Sequence, residues 1–150
     1  MFVKDIMSKN VITISPEENI SKAIELMAKN NISGLVVVEN EKVVGIISES
    51  DILEILKSPF PEIKNLTNVT LSIFMLLKKG IESFNYAKKI AKLKVKDLMT
   101  KKVFYVGPND TIEEAARIMS EKDIRRLPVI DEGKLVGIIS RTDILRALME

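Results

Sequence analysis

Apolar residues recur along this chain at two periods. At Ile20, Ala23, Ile24 and Met27, and again at Ile112, Ala115, Ala116 and Met119, they fall at i, i+3, i+4 and i+7, which puts one apolar stripe on a helix. Ser15 or Asn19 is placed to cap the first helix, and Asp110 or Thr111 the second. Beyond each helix come β-branched runs, LVVV and VVGII, then LPVI and LVGII, whose polar spacers at residues 39–42 and 131–134 predict hairpin-joined strands. A short extended stretch precedes each helix, at residues 11–14 and 103–106. A short helix closes each set, at residues 51–56 and 143–148.

The two sets are copies of one unit. Residues 3–56 align with residues 95–148 at a constant spacing of 92 without a gap, and roughly 23 of about 54 paired positions are identical. VKDIMSKNV pairs with VKDLMTKKV, Pro16 with Pro108, and KVVGIISESDIL with KLVGIISRTDIL. One β-α-β-β-α unit is too small to bury its sheet face alone, so the copies are expected to pack together with approximate two-fold symmetry. The expectation is a mixed α+β fold, with repeat 1 at residues 1–56, a connector at 57–94, repeat 2 at 95–150, and clefts between the repeats.

The connector has no counterpart. It opens with SPFPEI, whose two prolines mark a turn, and reads as helical over residues 69–93. Its lysines (Lys78, Lys79, Lys88, Lys89, Lys92 and Lys94) form either a solvated face or a patch for nucleic acid or a partner.

Composition narrows the chemistry. With 23 Lys and Arg against 21 Asp and Glu, the net charge of +2 gives no global attraction to nucleic acid or membrane. Cysteine and histidine are both absent, which removes disulfides, thiolate and imidazole metal ligands, and every Ser/His or Cys/His nucleophile. The N-terminal residues lack the layout of a signal peptide, and the most apolar later run is too short to span a bilayer, so a cytoplasmic protein is expected. Gly45 and Gly137 stand alone, marking close backbone approach and no phosphate-binding loop, and the methionines read as core filler.

The most informative motif is Ser-x-x-Asp, at Ser48 with Asp51 and at Ser140 with Asp143, following a strand and opening a helix. It has two readings. Serine can accept a backbone N–H while the carboxylate meets the helix dipole, a cap with no ligand. The same carboxylate can accept both hydroxyls of a ribose, beside N–H groups that favour an anion.

With the repeat, the GIISESD and GIISRTD turns and the IRRLPVID strand, the chain resembles the CBS-domain family over both repeats. The resemblance implies a disk-shaped tandem whose two clefts take AMP, ADP, ATP, S-adenosylmethionine or related adenosyl compounds. It also implies a homodimer and regulation of a separate protein. In one cleft, Ser140, Thr142 and Asp143 would meet the ribose, with Ile12, Thr13, Ile32 and Ser33 against the base. Arg125 and Arg126 would stand at the strand entrance for phosphate, with guanidinium offering planar paired donors. Arg141 would either help there or point to solvent. The other cleft would use Ser48, Ser50 and Asp51 with Phe104, Tyr105 and Ile124. It departs from the family pattern, because aromatics replace Ile12 and Thr13 and Ser33-Gly34 offers no arginine. The expected function is therefore adenosyl-nucleotide sensing without catalysis, with no obligatory cofactor and no metal. The alternative is a scaffold that contacts nucleic acid through the connector lysines. An enzyme is the weakest reading, since no base of tunable pKa accompanies the hydroxyls.

Overall fold

The computed structural model describes residues 1–56 and 92–150. The helical reading of residues 69–91, and Lys78, Lys79, Lys88 and Lys89 with it, lies outside the described residues. Helix α1 (Val3–Ile6) is followed by β1 (Thr13–Ile14), α2 (Ile20–Asn30), β2 (Gly34–Glu39), β3 (Lys42–Ser48) and α3 (Glu49–Leu56). The second half repeats the order with α4 (Val95–Leu98), α5 (Ile112–Glu121), β4 (Arg126–Asp131), β5 (Lys134–Ser140) and α6 (Arg141–Leu148). The result is the expected mixture of helix and strand.

Most of both predicted stripes is buried, Ile20, Ala23 and Met27 on α2 and Ile112, Ala115 and Met119 on α5, while Ile24 and Ala116 are half-buried. Thr111 caps α5 by accepting the Glu114 N–H at 3.2 Å. Asn19 occupies the same place before α2, with extended backbone and no side-chain bond, while Ser15 Oγ accepts the Glu17 N–H at 3.3 Å. Strands β1, β2 and β3 form one sheet in that order, β1 parallel to β2 with Thr13 opposite Val36. In the second repeat the extended stretch shortens to a single parallel bridge, Val106 to Val129, and β4 pairs antiparallel with β5.

Two-residue turns close the hairpins, and all four turn residues have positive φ: Asn40 (52°), Glu41 (67°), Glu132 (49°) and Gly133 (81°). Such turns match the twist of the strands they join. Glycine adopts this conformation freely, whereas Glu41 adopts it against its own Cβ.

The chain divides into two compact units that do not follow the repeat boundaries. One holds residues 1–12, 39–43 and 102–150, and the other holds residues 13–38 and 44–101. The first repeat's N-terminal segment therefore docks on the second repeat's elements, and the reverse. Val3 N–H donates to Asp110 O at 2.8 Å and Lys4 N–H to Pro108 O at 3.0 Å; in the other unit, Val95 and Lys96 donate to Glu18 O and Pro16 O at 2.9 and 3.0 Å. Val3 and Val95 are fully buried by this docking.

Next along each docked segment, Ser8 exchanges two backbone bonds with Ile138, both 2.9 Å, and Thr100 exchanges two with Ile46, 2.8 and 3.0 Å. The crossings are tight enough to require glycine. A Cβ on Gly137 would lie 2.6 Å from Met7 Sδ and 3.0 Å from Ser8 O, and one on Gly45 would lie 2.7 Å from Met99 Sδ and 3.0 Å from Thr100 O. Around the first crossing, Val3, Val106, Ala115, Met119, Leu127, Val129, Ile139 and Ile144 form a contiguous core. In the other unit Ile20, Met27, Leu35, Val36, Val37, Ile47, Ile52 and Val95 are buried.

Candidate functional site

The fold brings each Ser-x-x-Asp motif to a strand-to-helix corner and makes it a reciprocal cap. At the second, Ser140 has the extended backbone of an N-cap, and its Oγ accepts the Asp143 N–H at 3.2 Å. Asp143 Oδ2 in return accepts the Ser140 N–H at 2.8 Å and the Ser140 hydroxyl at 2.8 Å. One carboxylate oxygen is thus fixed by the turn. The other, Oδ1, has Arg146 Nη1 3.9 Å away as its nearest cationic partner, and the side chain is 21% exposed. The result is a held anion with an open acceptor edge, the arrangement a pair of adjacent hydroxyls can enter.

Arg125 and Arg126 stand at the same corner. Arg126 pairs with Ser140 across β4 and β5, and Arg125 O accepts the Arg141 N–H at 2.9 Å. The Arg125 side chain is exposed and has no hydrogen-bond or ion-pair partner among the described residues. The Arg141 side chain is 43% exposed and bonded to its surroundings. Its Nε donates to Ile124 O at 3.0 Å, and its Nη2 donates to Met119 O and Asp123 Oδ1, both at 3.3 Å. The guanidinium thus bridges a carbonyl in the last turns of α5, Met119 O, which also accepts the Ile124 N–H at 3.0 Å, and one just beyond the helix, Ile124 O, and fixes the corner from behind. Thr142 is exposed on the first turn of α6.

In the other unit Ser48 and Asp51 repeat the geometry. Asp51 Oδ2 accepts the Ser48 N–H at 2.8 Å and its hydroxyl at 3.1 Å, and Ser33 O accepts the Glu49 N–H at 3.0 Å, as Arg125 does for Arg141. Two features differ: Thr100 Oγ1 donates to Asp51 Oδ1 at 3.0 Å, and Glu54 stands at the position that Arg146, 3.9 Å from Asp143 Oδ1, holds in the other repeat. Sequence reasoning missed Thr100, because alignment of the repeats carries no sign of which hairpin the segment docks on.

The remaining candidates divide between the units. Thr13 (exposed), Ile32 and Ser33 (half-buried) and Ser50 (exposed) belong with Asp51, whereas Ile12, Phe104, Tyr105 and Ile124 belong with Asp143. Phe104 and Ile124 pack on the core around Leu127. The ammonium groups of Lys102 and Lys122 lie 5.6 and 5.1 Å from the centre of the Phe104 ring, close enough for cation–π attraction. Tyr105 is 57% exposed. Of the described connector lysines, Lys92 is exposed and Lys94 is held by Glu17 at 2.8 Å. No cluster of three metal-ligating side chains occurs among the described residues, and none of the described helices is long and apolar enough to cross a membrane.

A family model described as CBS domain matches this chain twice, over residues 3–58 and 95–150. The chain is 38% identical to protein MJ1426 of Methanocaldococcus jannaschii, over 99% of its own length and 92% of that protein's. Among solved structures it is similar to the CBS domain pair of protein MJ0100 in complex with 5′-methylthioadenosine and S-adenosyl-L-methionine (TM-score 0.73, 26% identity, 99% of this chain and 96% of that one). It is similar also to CBSX2 in complex with AMP, with TM-score 0.71 and 28% identity over 99% of this chain and 96% of that one.

Proposed function

The chain belongs to the CBS-domain family, and from that premise we propose that it is a regulatory module that binds an adenosyl compound such as AMP, ADP, ATP or S-adenosylmethionine and catalyses no reaction. The observation that carries this reading is the Asp143 carboxylate, fixed through Oδ2 by Ser140 and open at Oδ1. An acceptor held in place before the ligand arrives loses little entropy on binding it. Arg125, exposed at the same corner, is assigned to the phosphate. Support from relatives is chemical: AMP in one and S-adenosyl-L-methionine with 5′-methylthioadenosine in the other share an adenosine. The absence of catalysis rests on the serine hydroxyls, each bonded to its own aspartate, in a chain with no histidine to act as base.

Such a module signals only if its ligand binds one arrangement of the protein more tightly than another. The reading includes a homodimer and a separate regulated protein. Leu145 within α6 (63% exposed), Leu148 at its end (71%) and Met149 just beyond it (89%) support contact with another protein surface. Calorimetric titration of nucleotide-stripped protein with AMP, ATP and S-adenosylmethionine tests the function. Saturable micromolar binding of at least one supports it, and no binding of any by folded protein overturns it.

A further inference from the structure

We infer that Thr100 is a specificity-determining residue, an internal competitor that occupies the diol-accepting edge of Asp51 and sets this turn apart from the one at Asp143. This rests on the reading of the Ser-x-x-Asp turns as ribose sites. A carboxylate offers about four lone-pair positions. At Asp143 the Ser140 N–H and hydroxyl take two, both on Oδ2, leaving two for the paired hydroxyls of a ribose. At Asp51 Ser48 takes the same two, and Thr100 takes a third on Oδ1 at 3.0 Å. A diol entering there must expel the threonine hydroxyl or bind through one hydroxyl.

On the docked segment the difference comes from one pair of side chains. Thr100 and Ser8 are equivalent by the 92-residue spacing and make equivalent backbone bridges, to Ile46 and Ile138. Yet the Ser8 hydroxyl makes no hydrogen bond to Asp143 among the described residues. Threonine is stiff at χ1, so its hydroxyl can be held on a neighbour by its methyl group, whereas serine rotates at little cost. The choice of Thr or Ser on the docked segment therefore sets whether the aspartate beside it is closed or open. The chemistry selected against at Asp51 is the intact vicinal diol.

Titration with AMP in an Asp143→Ala background, which isolates the Asp51 turn, tests this directly. Thr100→Val keeps the branched shape, removes the hydroxyl, and is expected to tighten AMP binding roughly tenfold. The gain should vanish when Asp51→Asn is added. Ser8→Thr in the otherwise unchanged protein, where the Asp143 turn is intact, should weaken AMP binding. Because Asp143→Ala can disturb folding, the number of AMP molecules bound is also measured in the unchanged protein and in Thr100→Val alone, where it should rise. No gain, or a loss, in Thr100→Val while the unchanged protein binds AMP overturns this inference and leaves the functional reading standing. Failure of the unchanged protein to bind AMP, ATP or S-adenosylmethionine overturns that reading, and the inference with it.

Discussion

Ser140 and Asp143 each satisfy the other: the serine hydroxyl accepts the aspartate N–H at 3.2 Å and donates to Oδ2 at 2.8 Å, where the serine N–H also bonds. A cap this complete is a structural device whatever it binds. Ser140→Ala is expected to cost about 1 kcal/mol of stability. Urea unfolding measures this, and an unchanged midpoint would mean that α6 does not depend on the cap.

The glycine crossings predict a steric effect. Gly137→Ala places a Cβ 2.6 Å from Met7 Sδ, which can swing away, and 3.0 Å from Ser8 O, which belongs to a paired backbone. A loss of about 1–3 kcal/mol is expected. Thermal unfolding of Gly137→Ala and of Gly137→Ala with Met7→Ala separates the two contacts. Partial recovery in the double variant is the expected result, and a neutral Gly137→Ala would show that the segment is not held against β5.

Glu41 has φ 67° where the equivalent hairpin position is Gly133 at φ 81°. Replacing it with glycine relieves a left-handed strain of about 1 kcal/mol, partly offset by the greater freedom of glycine in the unfolded chain. Glu41→Gly should therefore raise the unfolding midpoint. Its exposed pair with Lys134, at 3.9 Å, is too long and too solvated to oppose that gain.

How far these features could be read from the sequence depends on the kind of information each requires. The stripe Ile20, Ala23, Met27 is a periodic signal and emerged as a buried helix face, and the hairpins followed from β-branched runs. Gly45 and Gly137 announced close approach but not of what. The exchange of α1 and α4 left no trace, because VKDIM and VKDLM fit either repeat equally and similarity between repeats says nothing of which one a segment docks on. Both short helices went unread for a related reason: four residues make too few turns for a period to appear. Arg141 was undecided because two of its three partners, the Met119 and Ile124 carbonyls, are backbone atoms that a sequence pattern does not display.

The exchange carries an electrostatic asymmetry. Glu17 accepts from Lys94 at 2.8 Å and Lys96 at 2.9 Å, and these bonds hold its carboxyl down from 4.5 to about 2. A carboxyl whose folded pKa lies below its unfolded value stabilises the fold above about pH 4.5 and loses that contribution as pH falls toward 2. The equivalent of Glu17 is Asn109, which accepts from Lys4 at 2.9 Å and does not titrate. The stability advantage of the unchanged protein over Glu17→Gln should therefore be present at pH 6, shrink toward nothing near pH 2, and weaken in high salt because the groups are half-exposed. An advantage that stays constant across that range would contradict this account of the docking of α4.

The central claim, that Asp143 reads the paired hydroxyls of an adenosyl ligand, is tested most directly by comparing affinities for AMP and 2′-deoxy-AMP in the unchanged protein and in Asp143→Ala. The account predicts that the unchanged protein prefers AMP by roughly tenfold or more, the worth of a hydrogen bond to a charged group. It also predicts that Asp143→Ala binds both more weakly and loses most of that preference. Equal affinity for the two nucleotides in the unchanged protein, or a preference for AMP that survives Asp143→Ala undiminished, would contradict it.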